Sequence, residues 1–129
     1  MGRFAASISR LDLDPIPFVE QLVYDESPQV RRECALALRH SDSPEAPRLW
    51  AELASQHDGQ DRWYLEALGI AADGDWDTCF DAWLRNVQED WNTPAGRDIV
   101  WRSRATESAD YLARIVSDPG LSTDELPRM

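Results

Sequence analysis

The sequence predicts an all-α chain, and three observations carry that prediction. Apolar residues recur at i, i+3, i+4 and i+7 in one segment after another, the spacing of a helix with one buried stripe. No segment keeps the strict alternation that a strand of useful length needs. Proline after a hydroxyl residue, and glycine, fall mainly between these segments, where helix caps and chain reversals belong. The chain has 129 residues, which suits a single domain over 1–129 or a short repeat array and is too short for two full-sized domains.

The elements follow in order. Ile16, Val19, Leu22 and Val23 mark a helix over 15–24. Val30, Cys34, Ala37 and Leu38 mark a second over 28–39, opened by Ser27 as N-cap with Pro28 at the first helical position, where a missing N–H costs nothing. Ala46, Leu49, Trp50, Leu53 and Ala54 mark a third over 44–56, with Ser43 and Pro44 expected in the same two roles. Tyr64, Ala67, Leu68 and Ala71 mark a fourth over 60–72. The strongest stripe is Trp76, Cys79, Phe80, Trp83, Leu84 and Val87, a helix over 76–88 with Asp75 available as its cap. Thr93-Pro94-Ala95-Gly96 reads as a loop or a helix start, followed by a weaker segment from Val100 to Ala105 that gives a sixth helix over 95–105. Ala109, Leu112, Ala113 and Val116 give a shorter buried stripe and a seventh helix over 108–117. Gly59, Gly74, Gly96 and Gly120 are expected in the gaps, and Ser122-Thr123-Asp124-Glu125 matches a capping box that opens a further helix.

These helices come in pairs. The first members of successive pairs begin 28 to 33 residues apart, and Ala35-Leu36-Ala37-Leu38-Arg39 superposes on Leu65-Glu66-Ala67-Leu68-Gly69 at an offset of 30. A recurring helix pair of this period is the signature of a short right-handed α-solenoid. A compact helical bundle is the alternative, because three and a half pairs can also close on themselves.

Charge narrows the function classes. There are 13 Arg and no Lys against 24 Asp plus Glu, for a formal net charge of -11. Such a surface repels the phosphates of duplex nucleic acid and of anionic lipid alike. Hydrophobic residues at 43%, with six Trp, argue for a folded chain. No apolar run reaches the ~20 residues of a membrane span, and Met1-Gly2-Arg3-Phe4 lacks an apolar signal core. The two cysteines, Cys34 and Cys79, lie far apart on apolar helical faces without a Cys-x-x-Cys, which marks them as small buried hydrophobes.

Few groups suggest chemistry. Asp73-Gly74-Asp75-Trp76-Asp77 places carboxylates at alternate positions, as a calcium loop does, but Thr78 and Leu84 stand where such a loop needs Gly and Glu. An inter-helix turn is the better account. His40 and His57 fall at helix C-terminal ends, where imidazole meets free carbonyls. No catalytic constellation emerges, and neither a cofactor nor a metal site is expected within this chain. Trp50, Trp76 and Trp83 belong to buried stripes. Trp63 precedes its stripe, and Trp101 lies among Arg97, Asp98, Arg102 and Arg104. Arg62, Trp63, Arg97, Asp98, Trp101 and Arg102 are a candidate interaction face, because Trp and Arg dominate binding hot spots, and the competing account is that these Arg–Asp pairs tie neighbouring repeats together.

Ser27-Pro28-Gln29-Val30-Arg31-Arg32-Glu33-Cys34-Ala35-Leu36-Ala37-Leu38 resembles the second helix of a HEAT repeat, with Ser27 in place of the usual Asp and Cys34 in place of an Ala. The resemblance implies that Arg31 or Arg32 joins a ladder of polar contacts between repeats, which adds Arg31 to the candidate face. Three further stretches, 61–74, 76–84 and 96–105, resemble the HEAT-like middle segment of large bacterial PVC-type haem-binding proteins. Those proteins carry a sugar-dehydrogenase-like propeller before the segment and a cytochrome c-type Cys-x-x-Cys-His domain after it. The resemblance covers roughly residues 11 to 126. It implies a domain fragment of a multidomain protein of the periplasm or cell envelope. The propeller and the Cys-x-x-Cys-His motif lie outside this chain, so the redox chemistry attaches to none of its residues.

The function expected is therefore non-catalytic: a scaffold that positions neighbouring domains or binds a protein partner. It would neither bind nucleic acid nor insert in a membrane, and weak self-association through its exposed end repeats is expected. Two alternatives come from other classes. One is a glycan- or ligand-binding module with Trp63 and Trp101 lining a groove. The other is a HEAT-like DNA glycosylase, which the acidic charge disfavours.

Overall fold

The computed structural model describes residues 14–117. Among these every regular element is helical: α1 (Ile16–Leu22), α2 (Pro28–Ala37), α3 (Ala46–Ala54), α4 (Arg62–Ala71), α5 (Trp76–Val87), a 3-10 turn (Gln88–Trp91), α6 (Pro94–Arg102) and α7 (Ser108–Ser117). The all-α expectation holds, and each helix overlaps its predicted window. The capping box at 122–125 and Gly120 lie outside the described residues.

Local chemistry explains most of the boundaries. The Ser27, Asp61 and Thr93 side chains accept hydrogen bonds from the backbone N–H groups of Val30, Tyr64 and Gly96, so α2, α4 and α6 open on the same N-cap device. Thr93-Pro94 is thus a helix start. Gly59 and Gly74 have φ of +83° and +88°, the left-handed conformation that glycine adopts without strain in these two reversals. Three expectations need correction. Helix α3 begins at Ala46 rather than near Pro44: Ser43 Oγ accepts from Glu45 N–H in a turn of its own, and Pro47 takes the early helical position. Asp75 is the N-cap residue of α5 but makes no capping hydrogen bond. Gly96 lies in the first turn of α6, buried, and not in a gap.

The core is one continuous cluster running from Ile16 to Ile115. Trp50, Phe80 and Trp83 are its largest fully buried side chains, and Trp76 and both cysteines are buried with them. Trp50 stands edge-on to Trp76 with ring centroids 5.6 Å apart, and its indole N–H donates to the Leu68 carbonyl at 2.9 Å. One side chain thereby ties α3 to both α4 and α5.

Helices α2 to α5 pack most extensively with the next but one in sequence, whereas α1, α6 and α7 pack most with a sequence neighbour. The main contacts are α3 with α5 and α2 with α4, followed by α1 with α2, α6 with α7, and α4 with both α3 and α6. The turn at Gln88–Trp91 bridges α5 and α6. Tyr111 anchors α7, standing edge-on to Phe80 at 5.7 Å and to Trp91 at 4.9 Å.

Helix α7 differs from the sequence reading in its orientation. Ser108 and Ile115 are its buried residues, and Tyr111 faces the same side. Ala109, Ala113 and Val116 are exposed, and Leu112 is half-buried. Of the predicted stripe only Leu112 packs against the core; Ala109, Ala113 and Val116 face away from it. Aromatic packing of Tyr111 against two partners outweighs what two alanines and a valine offer.

Candidate functional site

The even-numbered helices carry most of the residues expected to form an interaction face, and the common N-cap device gives these helices one register. Counting from Ser27, Asp61 and Thr93, the second residue is Gln29, Trp63 or Ala95, and the ninth is Leu36, Ile70 or Arg102. Positions two and nine lie seven apart and share one side of a helix. On α4 that side shows Trp63 at 72% exposure and Ile70 at 40%. The matching position of α2 shows Leu36 at 37%. Helices α2 and α4 pack side by side, so Leu36 stands on α2 at the register that Ile70 holds on α4. Arg62 is exposed beside Trp63, and Arg39 pairs with Asp73 at 3.7 Å across the same two helices.

Arg102 reaches α4 from α6. Its guanidinium reaches Glu66 at 3.5 Å, lies 5.9 Å from the Trp76 ring centroid and rests in the space left by the missing side chain of Gly69. The Gly69–Arg102 fit is not visible in the sequence. Its only trace is a glycine in a helix interior, a position that normally disfavours glycine.

The remaining expected residues lie elsewhere. Arg97 is only 5% exposed; it donates to Asn92 Oδ1 at 3.0 Å inside the fold, so it takes no part in an outer face. Arg31 is half-buried. Its Nη1 donates to the backbone carbonyls of Asp25 and Glu26, and its guanidinium lies 5.5 Å from the Tyr64 ring centroid. It thus links α2 to α4. Trp101 occupies the eighth position after its cap, a different side of its helix from that of Trp63, and is 38% exposed. The structure therefore does not bring Trp63 and Trp101 together.

Asp98 has a partner that the sequence did not suggest. Its carboxylate meets His57 Nε2 at 3.0 Å, and the imidazole is buried, stacked parallel on Tyr64 at 5.9 Å. The Tyr64 hydroxyl donates to the Leu53 carbonyl at 2.6 Å. Arg31, Tyr64, His57 and Asp98 thus form a continuous internal link from α2 through α4 and the turn before it to α6. His57 was expected to bond free helix carbonyls; a carboxylate 41 residues further on holds it instead. Burial pushes the Tyr64 hydroxyl pKa up, against the opposing pull of Arg31. Burial also pushes the Cys34 thiol up to about 11 and the Cys79 thiol up to about 12, which leaves both protonated and unreactive at neutral pH.

Two of the three carboxylates in the acidic turn at 73–77 make structural contacts. Asp77 accepts from the N–H and hydroxyl of Thr106, and Asp73 holds Arg39. Among the described residues no group of three or more His, Cys, Asp or Glu is placed to hold a metal ion, and no helix is long and apolar enough to cross a membrane. Comparison of the chain with protein-family models, with curated proteins and with solved structures gives no match.

Proposed function

We propose that this chain is a non-catalytic helical-repeat scaffold, a short right-handed α-solenoid of HEAT-like pairs, and that the outer side of α2 and α4 binds a protein partner. Next-but-one packing supports the solenoid reading, since a stack of helix pairs brings odd helices against odd and even against even. So does the shared cap register of α2, α4 and α6. On this reading the chain sits between neighbouring domains of a larger protein, as the likeness to the PVC-type middle segment implies.

The observation that carries the binding reading is Trp63. A tryptophan held 72% in solvent at the start of a well-capped helix contributes little to folding, yet Ile70 stands exposed on the same side, with Leu36 at the matching register of α2. Arg62 adjoins Trp63, and Arg39 pairs with Asp73 across the same two helices, within an acidic chain. A rigid aromatic anchor with aliphatic side chains and arginines nearby is the composition of a binding hot spot. It fits a partner with an apolar pocket edged by carboxylates.

The test is affinity capture with the folded chain and its Trp63→Ala and Ile70→Ser variants. The reading expects both variants to melt like the parent while losing the same captured protein. A partner retained by both variants overturns it.

A further inference from the structure

An open cleft of about 630 Å³ lies where the end of α5 and the turn after it meet α7. We infer that it is a binding site for a neutral sugar, a short oligosaccharide seated against the Trp91–Tyr111 corner.

Two aromatic rings form that corner. Trp91 and Tyr111 are both half-buried and line the cleft, and their planes meet at 89° with centroids 4.9 Å apart. The exposed Arg114 guanidinium lies 4.8 Å from the Tyr111 centroid and extends that side of the cleft. Polar groups complete the lining. The side chains of Asn86, Gln88, Glu89 and Asp90 make no hydrogen bond or ion pair among the described residues, so their donors and acceptors are uncommitted. Gln88 reaches its place at a conformational cost. Its φ of +50° and ψ of -125° form a combination that glycine adopts freely and other residues rarely do. The reversals at Gly59 and Gly74 use glycine, whereas this one keeps a long amide side chain, and that side chain lines the cleft.

Chemistry singles out the ligand. A pyranose has a face of C–H bonds that stacks on an aromatic ring and a rim of hydroxyls that each donate and accept. Carboxylates accept from neighbouring hydroxyls in pairs, a guanidinium donates two N–H groups side by side, and the amides do one of each. Other ligand classes meet opposition here. Glu89 and Asp90 repel an anion, as does the net charge of -11. A cation aimed at the aromatic corner meets Arg114 already in place over Tyr111. An apolar ligand strips water from the unpartnered polar side chains and offers them nothing in return. The volume falls within the roughly 300–1,000 Å³ of small-molecule sites.

Saturation-transfer difference NMR of the full chain with maltose, cellobiose, lactose, mannobiose and chitobiose tests this. At least one of these disaccharides is expected to bind with a dissociation constant of about 1 mM or tighter, equally at low and high salt, as an uncharged ligand does. The strongest saturation should fall on the C–H protons of one face of one ring. Arg114→Ala should weaken that sugar about tenfold while leaving the circular dichroism melt in place. Gln88→Gly should weaken it about tenfold as well, yet raise the melting temperature, because glycine relieves the backbone strain. Failure of all five sugars to bind the full chain overturns the inference, as does unchanged affinity in either variant. Tighter binding of glucuronate or of choline in the same assay overturns it too, since the cleft would then select a charge. Trp63→Ala leaves sugar binding unchanged, so the outcome is separate from that of partner capture.

Discussion

Replacing Gly96 with alanine tests how tightly the junction between α5 and α6 is closed. By propensity alone the change helps, since alanine is favoured over glycine in a helix by about 1 kcal/mol. The surroundings reverse the sign. A Cβ at this position collides with the Trp91 carbonyl oxygen, with the carbonyl carbon 2.8 Å away and Thr93 Oγ1 at 3.2 Å. The colliding group is backbone, fixed in a 3-10 turn whose carbonyl also accepts from the Thr93 N–H at 3.0 Å, so no rotamer change relieves it. Relief requires moving Trp91, which stands edge-on to Tyr111, or loosening the Thr93 cap. Overpacking of this kind costs about 3 kcal/mol at its upper range and a weakened cap adds about 1 kcal/mol, against the ~1 kcal/mol gained. The net expectation is a loss of about 3 kcal/mol, which lowers the melting temperature by roughly 10–15 °C for a chain of this size. Gly69→Ala is the control. There a Cβ meets only the far end of the Arg102 side chain, which can swing away. Losing the partly exposed Glu66 pair and the contact over Trp76 costs about 1 kcal/mol, and the propensity gain offsets it, so the melt should shift by only a few degrees. Thermal unfolding followed at 222 nm decides the matter. A Gly96→Ala chain as stable as the parent, or a Gly69→Ala chain less stable than Gly96→Ala, refutes the reasoning.

Three further outcomes are expected. Asp98→Ala strips the buried His57 Nε2 of its partner and should cost about 2 kcal/mol in a urea melt, well beyond the effect of changing the exposed Asp73. The raised Cys34 and Cys79 thiols make stability fall with alkaline pH. The unfolded chain ionises them from about pH 9 while the folded chain holds the proton until about 11 and 12, so the unfolding free energy should decline across that window and stay unaffected by the thiols below it. Both thiols should also react with a disulfide reagent at neutral pH only after denaturation. Acrylamide should quench Trp63 most freely, and Trp63→Phe should remove the largest single share of the quenchable emission, with a smaller share left to Trp101, since Trp50, Trp76 and Trp83 are buried.

Sequence reading recovered the helices because each depends on local signals: periodicity, caps and turn glycines. It placed Trp50, Trp76, Trp83 and both cysteines in the core for the same reason. It failed for α7, where one helix carries two apolar sides. Periodicity identifies a stripe but not what covers it, and the choice fell to Tyr111 through rings contributed by α5 and the turn after it. Trp63 was legible as an outlier because it stands outside its stripe. The His57–Asp98 pair was illegible because its partners lie 41 residues apart and belong to no periodic pattern. Arg97 looked like a surface charge because nothing local announces that its guanidinium is buried. Gly69 is a similar case, with its cause on another helix.

Next-but-one packing also shapes how the chain acquires its structure. The two largest contacts join segments about thirty residues apart and the end helices close on their sequence neighbours, so every loop closure during folding is short. No extensive helix–helix contact among the described residues joins α1 or α2 to α6 or α7. Nothing therefore obliges the two ends to assemble together. Opening can begin at either end and travel inward, and amide hydrogen exchange should be slowest in α3, α4 and α5, where neighbours lie on both sides.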